Sequence, residues 1–120
     1  MTILVCGGRD FDDYAKLRDV LDEVATWGDG SELLIVNGGY RGADQLASRW
    51  AKERGEKFHE EFADWNRDGK SAGPLRNQRM LDVYKPDFGV AFPGGSGTED
   101  MLCRLFRAGV ETLVVGGKNG

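Results

Sequence analysis

Four short apolar runs in this chain are continuous rather than alternating: residues 3–6, 33–36, 88–92 and 112–115. A strand with one wet face alternates polar and apolar side chains. An unbroken run marks a strand covered on both faces, as in a parallel sheet sandwiched between helices. Residues 57–62 differ: Phe58 and Phe62 share a face among Lys57, His59, Glu60 and Glu61. That pattern suits a half-exposed edge strand with His59 turned to solvent. Helical stripes separate the runs. Ala43, Leu46, Ala47, Trp50 and Ala51 recur at helical spacing, with Gly55 placed to end the helix. Tyr14, Leu17, Leu21 and Val24 form a second stripe, preceded by Asp12 and Asp13 as caps. Pro74 suits the first turn of a helix running to about Tyr84, and Met101, Leu102, Leu105 and Phe106 form a stripe ending near Gly109. The order β-α-β-α-β-α-β-α-β predicts an α/β fold, a doubly wound and mainly parallel five-stranded sheet with helices on both faces. No Pro- or Ser-rich linker divides residues 1–120, so a single domain is expected. Residues 63–73 are the only long irregular stretch and read as a ligand loop.

Composition narrows the function. Sixteen basic against 20 acidic residues leave a net charge of −4, which argues against a sequence-blind nucleic-acid binder. Cys6 and Cys103 are too few for a disulfide framework, and with the lone His59 they give no metal-site spacing. The first residues carry no basic leader, and no run approaches the roughly 20 apolar residues of a membrane span. The expectation is a reduced, cytoplasmic protein with no membrane contact, no metal and no bound cofactor. Motifs for other chemistries are missing too. No Gly-x-Gly-x-x-Gly follows the first run, no Walker lysine motif is present, and a Ser-His-Asp set would have to use His59 on the wrong strand.

The 18 glycines are the most informative residues. Gly7-Gly8, Gly38-Gly39, Gly94-Gly95 and Gly116-Gly117 each follow an expected strand, and the first three precede a helix. In open α/β sheets ligands bind beyond the carboxyl ends of the strands. Glycine there lets backbone N–H groups approach an anion, and a helix N-terminus adds free amides and a positive dipole end. The alternative is that these glycines serve tight turns alone. Arg9 and Arg41 follow two of the pairs, and Lys70, Arg76 and Arg79 bracket the Pro74 helix. A cation at a helix N-terminus opposes the dipole, and a bound phosphate would relieve that conflict. Removing Arg76 should therefore leave the stability of the free chain unchanged or raised. The strongest segment is Pro93, Gly94, Gly95, Ser96, Gly97 and Thr98, whose amides and hydroxyls form a phosphate cradle, with Gly95 a candidate for positive φ. Glu99 and Asp100 just beyond suit a ribose hydroxyl, acid/base work or simple helix capping.

That segment resembles the PGGxGT motif of the SLOG superfamily, which includes the LOG proteins and the DNA-processing protein A fold. The closer likeness is to its YspA-like branch. Gly7-Gly8-Arg9-Asp10-Phe11, Arg41-Gly42-Ala43-Asp44, Ala72-Gly73-Pro74-Leu75-Arg76-Asn77 and Lys85-Pro86-Asp87 fit that branch in order along nearly the whole chain. The resemblance implies a Rossmann-like sheet that binds a nucleotide or nucleotide-derived small molecule. The implied ligand contacts are Gly7, Gly8 and Arg9, then Gly38, Gly39 and Arg41, then Arg76 and Asn77, and finally Pro93 to Thr98. LOG enzymes hydrolyse the N-glycosidic bond of nucleoside 5′-monophosphates with a PGGxGTxEE motif and an Arg-Lys pair. Here Arg76 matches the arginine and Asn77 replaces the lysine; Asp100 matches the first glutamate and Met101 replaces the second. The expected function is sensing or sequestration of the ligand, such as a phage anti-defence sponge for immune nucleotide signals. The alternative is a phosphoribohydrolase in which Arg76 grips the phosphate and Asp100 acts on the leaving group or water. A purely structural interaction domain is the third reading. A homodimer or higher oligomer is expected from the likeness and from an apolar surface around Trp50, Met101 and Phe106.

Overall fold

The computed structural model describes residues 1–116. Gly117, half of the last Gly-Gly pair, lies outside the described residues. The elements follow one another as β1 (Thr2–Cys6), α1 (Tyr14–Ala25), β2 (Leu34–Asn37), α2 (Ala43–Arg54), β3 (Lys57–Glu60), α3 (Trp65–Asp68), α4 (Ala72–Tyr84), β4 (Phe88–Ala91), α5 (Ser96–Arg107) and β5 (Glu111–Val114). The strands form one sheet in the order β3-β2-β1-β4-β5, with every pairing parallel. The expected Rossmann-like, doubly wound fold is therefore the one observed.

The continuous runs have their reason in two separate cores. Ile3 and Val5 of β1 pack with Leu17, Leu21, Ala47 and Trp50 of α1 and α2. Their neighbours Leu4 and Cys6 point the other way, against Met80, Leu81, Met101 and Leu105 of α4 and α5. Successive strand residues face opposite sides, so a strand with helices on both faces must be apolar throughout. The caps also act as the local chemistry dictates. Asp13 accepts from the Lys16 amide, and Gly55 closes α2 with φ of 70°.

Three expectations need correction. The run at 112–115 is not covered on both faces: β5 is an edge strand, and Leu113 and Val114 are 37% and 55% exposed. The helix packed on it is α5, and nothing among the described residues covers it as α1 and α2 cover β1. The stretch 63–73 is not irregular. Asp64 accepts from the Arg67 amide to cap α3, and a 3-10 turn, Gly69–Ser71, leads into α4. Pro74 is then the third residue of α4, a place where an N–H would have no helical acceptor anyway. Arg76 thereby falls in the second turn rather than the first. Finally, Trp50 and Met101 are each 1% exposed and spent on their own core, so of the surface expected for self-association only Phe106 is exposed. Among the described residues no helix is long and apolar enough to cross a membrane, and no group of side chains is arranged to hold a metal ion.

Candidate functional site

The loops at the carboxyl ends of β1, β2 and β4, with α3 and the start of α4, enclose an open cleft of about 1520 Å³. Gly7, Gly8, Arg9, Gly38, Arg76, Asn77 and all of Pro93 to Thr98 line it. The segments picked out in the sequence thus converge, and direct bonds tie them together. Gly8 N donates to Pro93 O at 2.8 Å. Arg76 Nη1 donates to Gly38 O at 2.8 Å, and Asn77 Nδ2 to Gly97 O at 3.4 Å. Of three further basic residues, two go elsewhere. Arg41 is exposed and pairs with Asp10 at 3.6 Å, outside the lining. Arg79 is bound to Glu61 at 2.8 Å. Lys70 lines the cleft from the turn before α4.

The glycines divide into two kinds. A Cβ on Gly8 would come within 2.9 Å of Gly94 Cα, and one on Gly94 would run into Thr98 Oγ1 and stand 2.7 Å from Gly8 N. Two loops meet here backbone to backbone, so at these positions close packing alone requires glycine. Gly39, with φ of 75°, faces the Phe62 ring and is not part of the lining. Gly95 and Gly97 are different, since a Cβ there would meet nothing. Gly95 is not in the left-handed region either; its φ is −103° as the N-cap of α5. Their bare backbone, at the first amides of a 12-residue helix, is the part of the cradle open to a ligand. Gly95→Val should therefore keep its melting temperature and lose nucleotide affinity. Gly94→Val should be destabilised through overpacking, at a cost of about 1–3 kcal/mol or more. Thermal melts and calorimetry on the two variants check the contrast, and unchanged affinity in folded Gly95→Val would remove the cradle.

Arg76 is 6% exposed, although it carries a charge. Its Nε donates to Asn77 Oδ1 at 3.0 Å and its Nη1 to the Gly38 and Glu61 carbonyls. No hydrogen bond among the described residues engages Nη2, and no polar side-chain atom is sealed away without a partner, so Nη2 stays open to the cleft. Asp44 sits beside it on the cleft floor, 6% exposed, accepting from Tyr40 N at 3.2 Å. Burial pushes the Asp44 carboxyl up to about 6, against the backbone donors of Tyr40 and Gly38 and the Arg76 charge, which favour the anion. Burial likewise lowers the pKa of Arg76. Asp100 is the reverse case. Burial works to raise it, but hydrogen bonds from Arg104 at 2.8 Å and Asn77 at 3.0 Å outweigh that and hold its carboxyl below the ordinary range. Burial and the nearby Asp44 charge push the Cys6 thiol up to about 12, which leaves it inert.

The YspA, cpYpsA-related SLOG family model matches residues 1–67. The chain belongs to this family. It is similar over nearly its full length to the Gene 61 protein of Mycobacterium phage D29, at 36% identity over 124 residues and 97% of each chain. The X-ray structure of TM1055 shares the fold, with a TM-score of 0.67 at 19% identity over 92% of this chain and 71% of that one.

Within this SLOG chain, three cleft residues escaped the sequence reading as site residues. Asp44 was visible only as part of a motif. A buried carboxylate at the start of a helix reads in sequence as an ordinary first-turn acid, favourable to the dipole. Tyr40 and Trp65 also line the cleft. Neither carries a periodic signal, because one lies in a loop and the other on a four-residue helix.

Proposed function

We propose that this chain binds a nucleotide-derived small molecule and holds it without turning it over, as a sensing or sequestering module. The observation that carries the reading is a pair of anion-binding elements on one cleft. Bare amides open α5 at Gly95 and Gly97, and the buried Arg76 guanidinium, which lines the same cleft, has no hydrogen bond at Nη2 among the described residues. The Nη2 hydrogens of a guanidinium offer charge-assisted donors to a phosphate, and a helix N-terminus supplies further ones. The hydrolytic alternative lacks support at the acid it needs. Asp100 is held ionised by Arg104 and Asn77, which leaves it able to act on water but not to protonate a leaving group, since a general acid needs a proton near neutral pH. Met101, in place of the second carboxylate, packs into the core. Sequestration of a nucleotide signal is the use we propose for such a binder, in a chain whose relative is a phage protein.

Titration calorimetry with AMP, coupled to chromatography of the mixture, tests this. Saturable binding of one ligand per chain with no free base is expected. Steady release of adenine and ribose 5-phosphate would replace the binder with a hydrolase.

A further inference from the structure

One wall of the cleft is aromatic and is not needed by the packing. Trp65 is 49% exposed even though it sits on a capped helical turn. Its ring centroid lies 6.4 Å from that of Tyr40, the planes tilted by 55°. Behind it, a Cβ on Gly73 would stand 3.5 Å from Trp65 Cη2, an ordinary contact, so the start of α4 backs the indole without crowding it. The Tyr40 ring in turn is flanked by two guanidinium groups, with Arg76 Cζ at 5.3 Å and Arg9 Cζ at 6.0 Å from its centroid. The other large exposed aromatics lie elsewhere. Trp27 packs on Phe88 at the amino end of β4, and Phe62 and Phe106 are outside the lining. An exposed indole facing a cleft, next to a ring edged by cations, offers a face to a planar, π-rich group.

We infer that Tyr40 and Trp65 stack the base of the ligand, so that the cleft selects molecules carrying an aromatic ring at the α3 end and an anion at the α5 end. The inference rests on the proposed nucleotide reading and adds to it the residues that recognise the base. Stacking works on any base face, so the wall favours an aromatic ligand over a bare sugar phosphate and discriminates little between bases.

AMP, ribose 5-phosphate and adenosine, titrated into the wild-type chain, Trp65→Ala and Trp65→Phe, test it. Calorimetry gives the affinity and tryptophan emission gives the stacking signal. Of the tryptophans, only Trp65 lines the cleft, so quenching by AMP reports on it. Trp65→Ala should weaken AMP by about 5- to 150-fold and leave ribose 5-phosphate unchanged, and Trp65→Phe should recover most of the loss. Equal wild-type affinity for AMP and ribose 5-phosphate would overturn the stacking wall and leave the phosphate reading standing, as would an equal loss of both in Trp65→Ala. Adenosine binding as tightly as AMP, with quenching, would overturn the phosphate reading and keep the wall. Binding of none of the three would overturn both.

Discussion

Arg76→Ala is expected to cost the chain its ligand and part of its stability together. The guanidinium is a brace as well as the proposed grip. Its removal leaves the Gly38 carbonyl without the donor at 2.8 Å and Asn77 Oδ1 without the one at 3.0 Å. It also strips Asp44 of the nearest positive charge. Buried acceptors left unpaired, and a buried carboxylate left uncompensated, together cost about 2–4 kcal/mol. This reverses the sequence expectation that the free chain would hold or gain stability. That expectation placed Arg76 in the first helical turn, where the dipole dominates; α4 begins at Ala72, and Arg76 is buried one turn further in. Ligand affinity should fall by about 2–5 kcal/mol, or roughly 30-fold and more, because a phosphate loses the charge and the Nη2 donors of Arg76. Arg76→Lys, which keeps the charge without the guanidinium, should restore less than half of either loss. Urea melts give the first quantity and calorimetry on folded protein gives the second. Unchanged stability would remove the brace, and unchanged affinity per folded molecule would remove Arg76 from the site.

What could be read from the sequence follows from how local each signal is. The buried strands were legible because covering both faces forces an unbroken apolar run, as at 3–6. The same logic misjudged 112–115, since an apolar run cannot tell a middle strand from an edge strand whose neighbours are set by topology. The cleft loops were legible because Gly-Gly after a strand is a backbone requirement written directly in residue type. Which glycines face a ligand was not legible. Gly94 and Gly95 are adjacent and chemically identical, and only the position of Thr98 and Gly8 in space separates a packed Cα from an open one. Asn77 shows the same limit. In the sequence it reads as a substituted lysine beside Arg76. In the fold its amide is fully engaged, linking Arg76, Gly97 and Asp100. Burial of polar side chains is a property of the assembled sheet and helices, so Asp44 could not announce itself.

Asp44 should make both stability and ligand binding depend on pH in a direction opposite to ordinary acid behaviour. The groups facing its carboxyl are Arg76 on α4, Glu60 on β3, Cys6 on β1 and the Tyr40 and Gly38 amides. Its folded value near 6 lies above the ordinary 3.8. Between these two values the native state holds a proton that the unfolded state has released, so this group adds stability as pH falls from 6 towards 4. Above pH 6 both states are ionised and the native state bears the cost of a buried charge, about 3 kcal/mol for a carboxyl moved that far. Asp44→Asn keeps an acceptor for the amides and removes the charge. It should be more stable than wild type at pH 7 by up to about 3 kcal/mol, with the difference vanishing near pH 4. The same charge competes with an anionic ligand for Arg76, so binding should draw a proton onto Asp44. Wild-type affinity should therefore tighten from pH 7.5 to 5.5 relative to Asp44→Asn, a comparison that cancels the ligand's own titration. Calorimetry at pH 7 in two buffers of different ionisation enthalpy should show proton uptake by wild type and less by the variant. Parallel stability and affinity curves for the two proteins across that range would mean that Asp44 stays ionised beside the bound anion, and the coupling would be withdrawn.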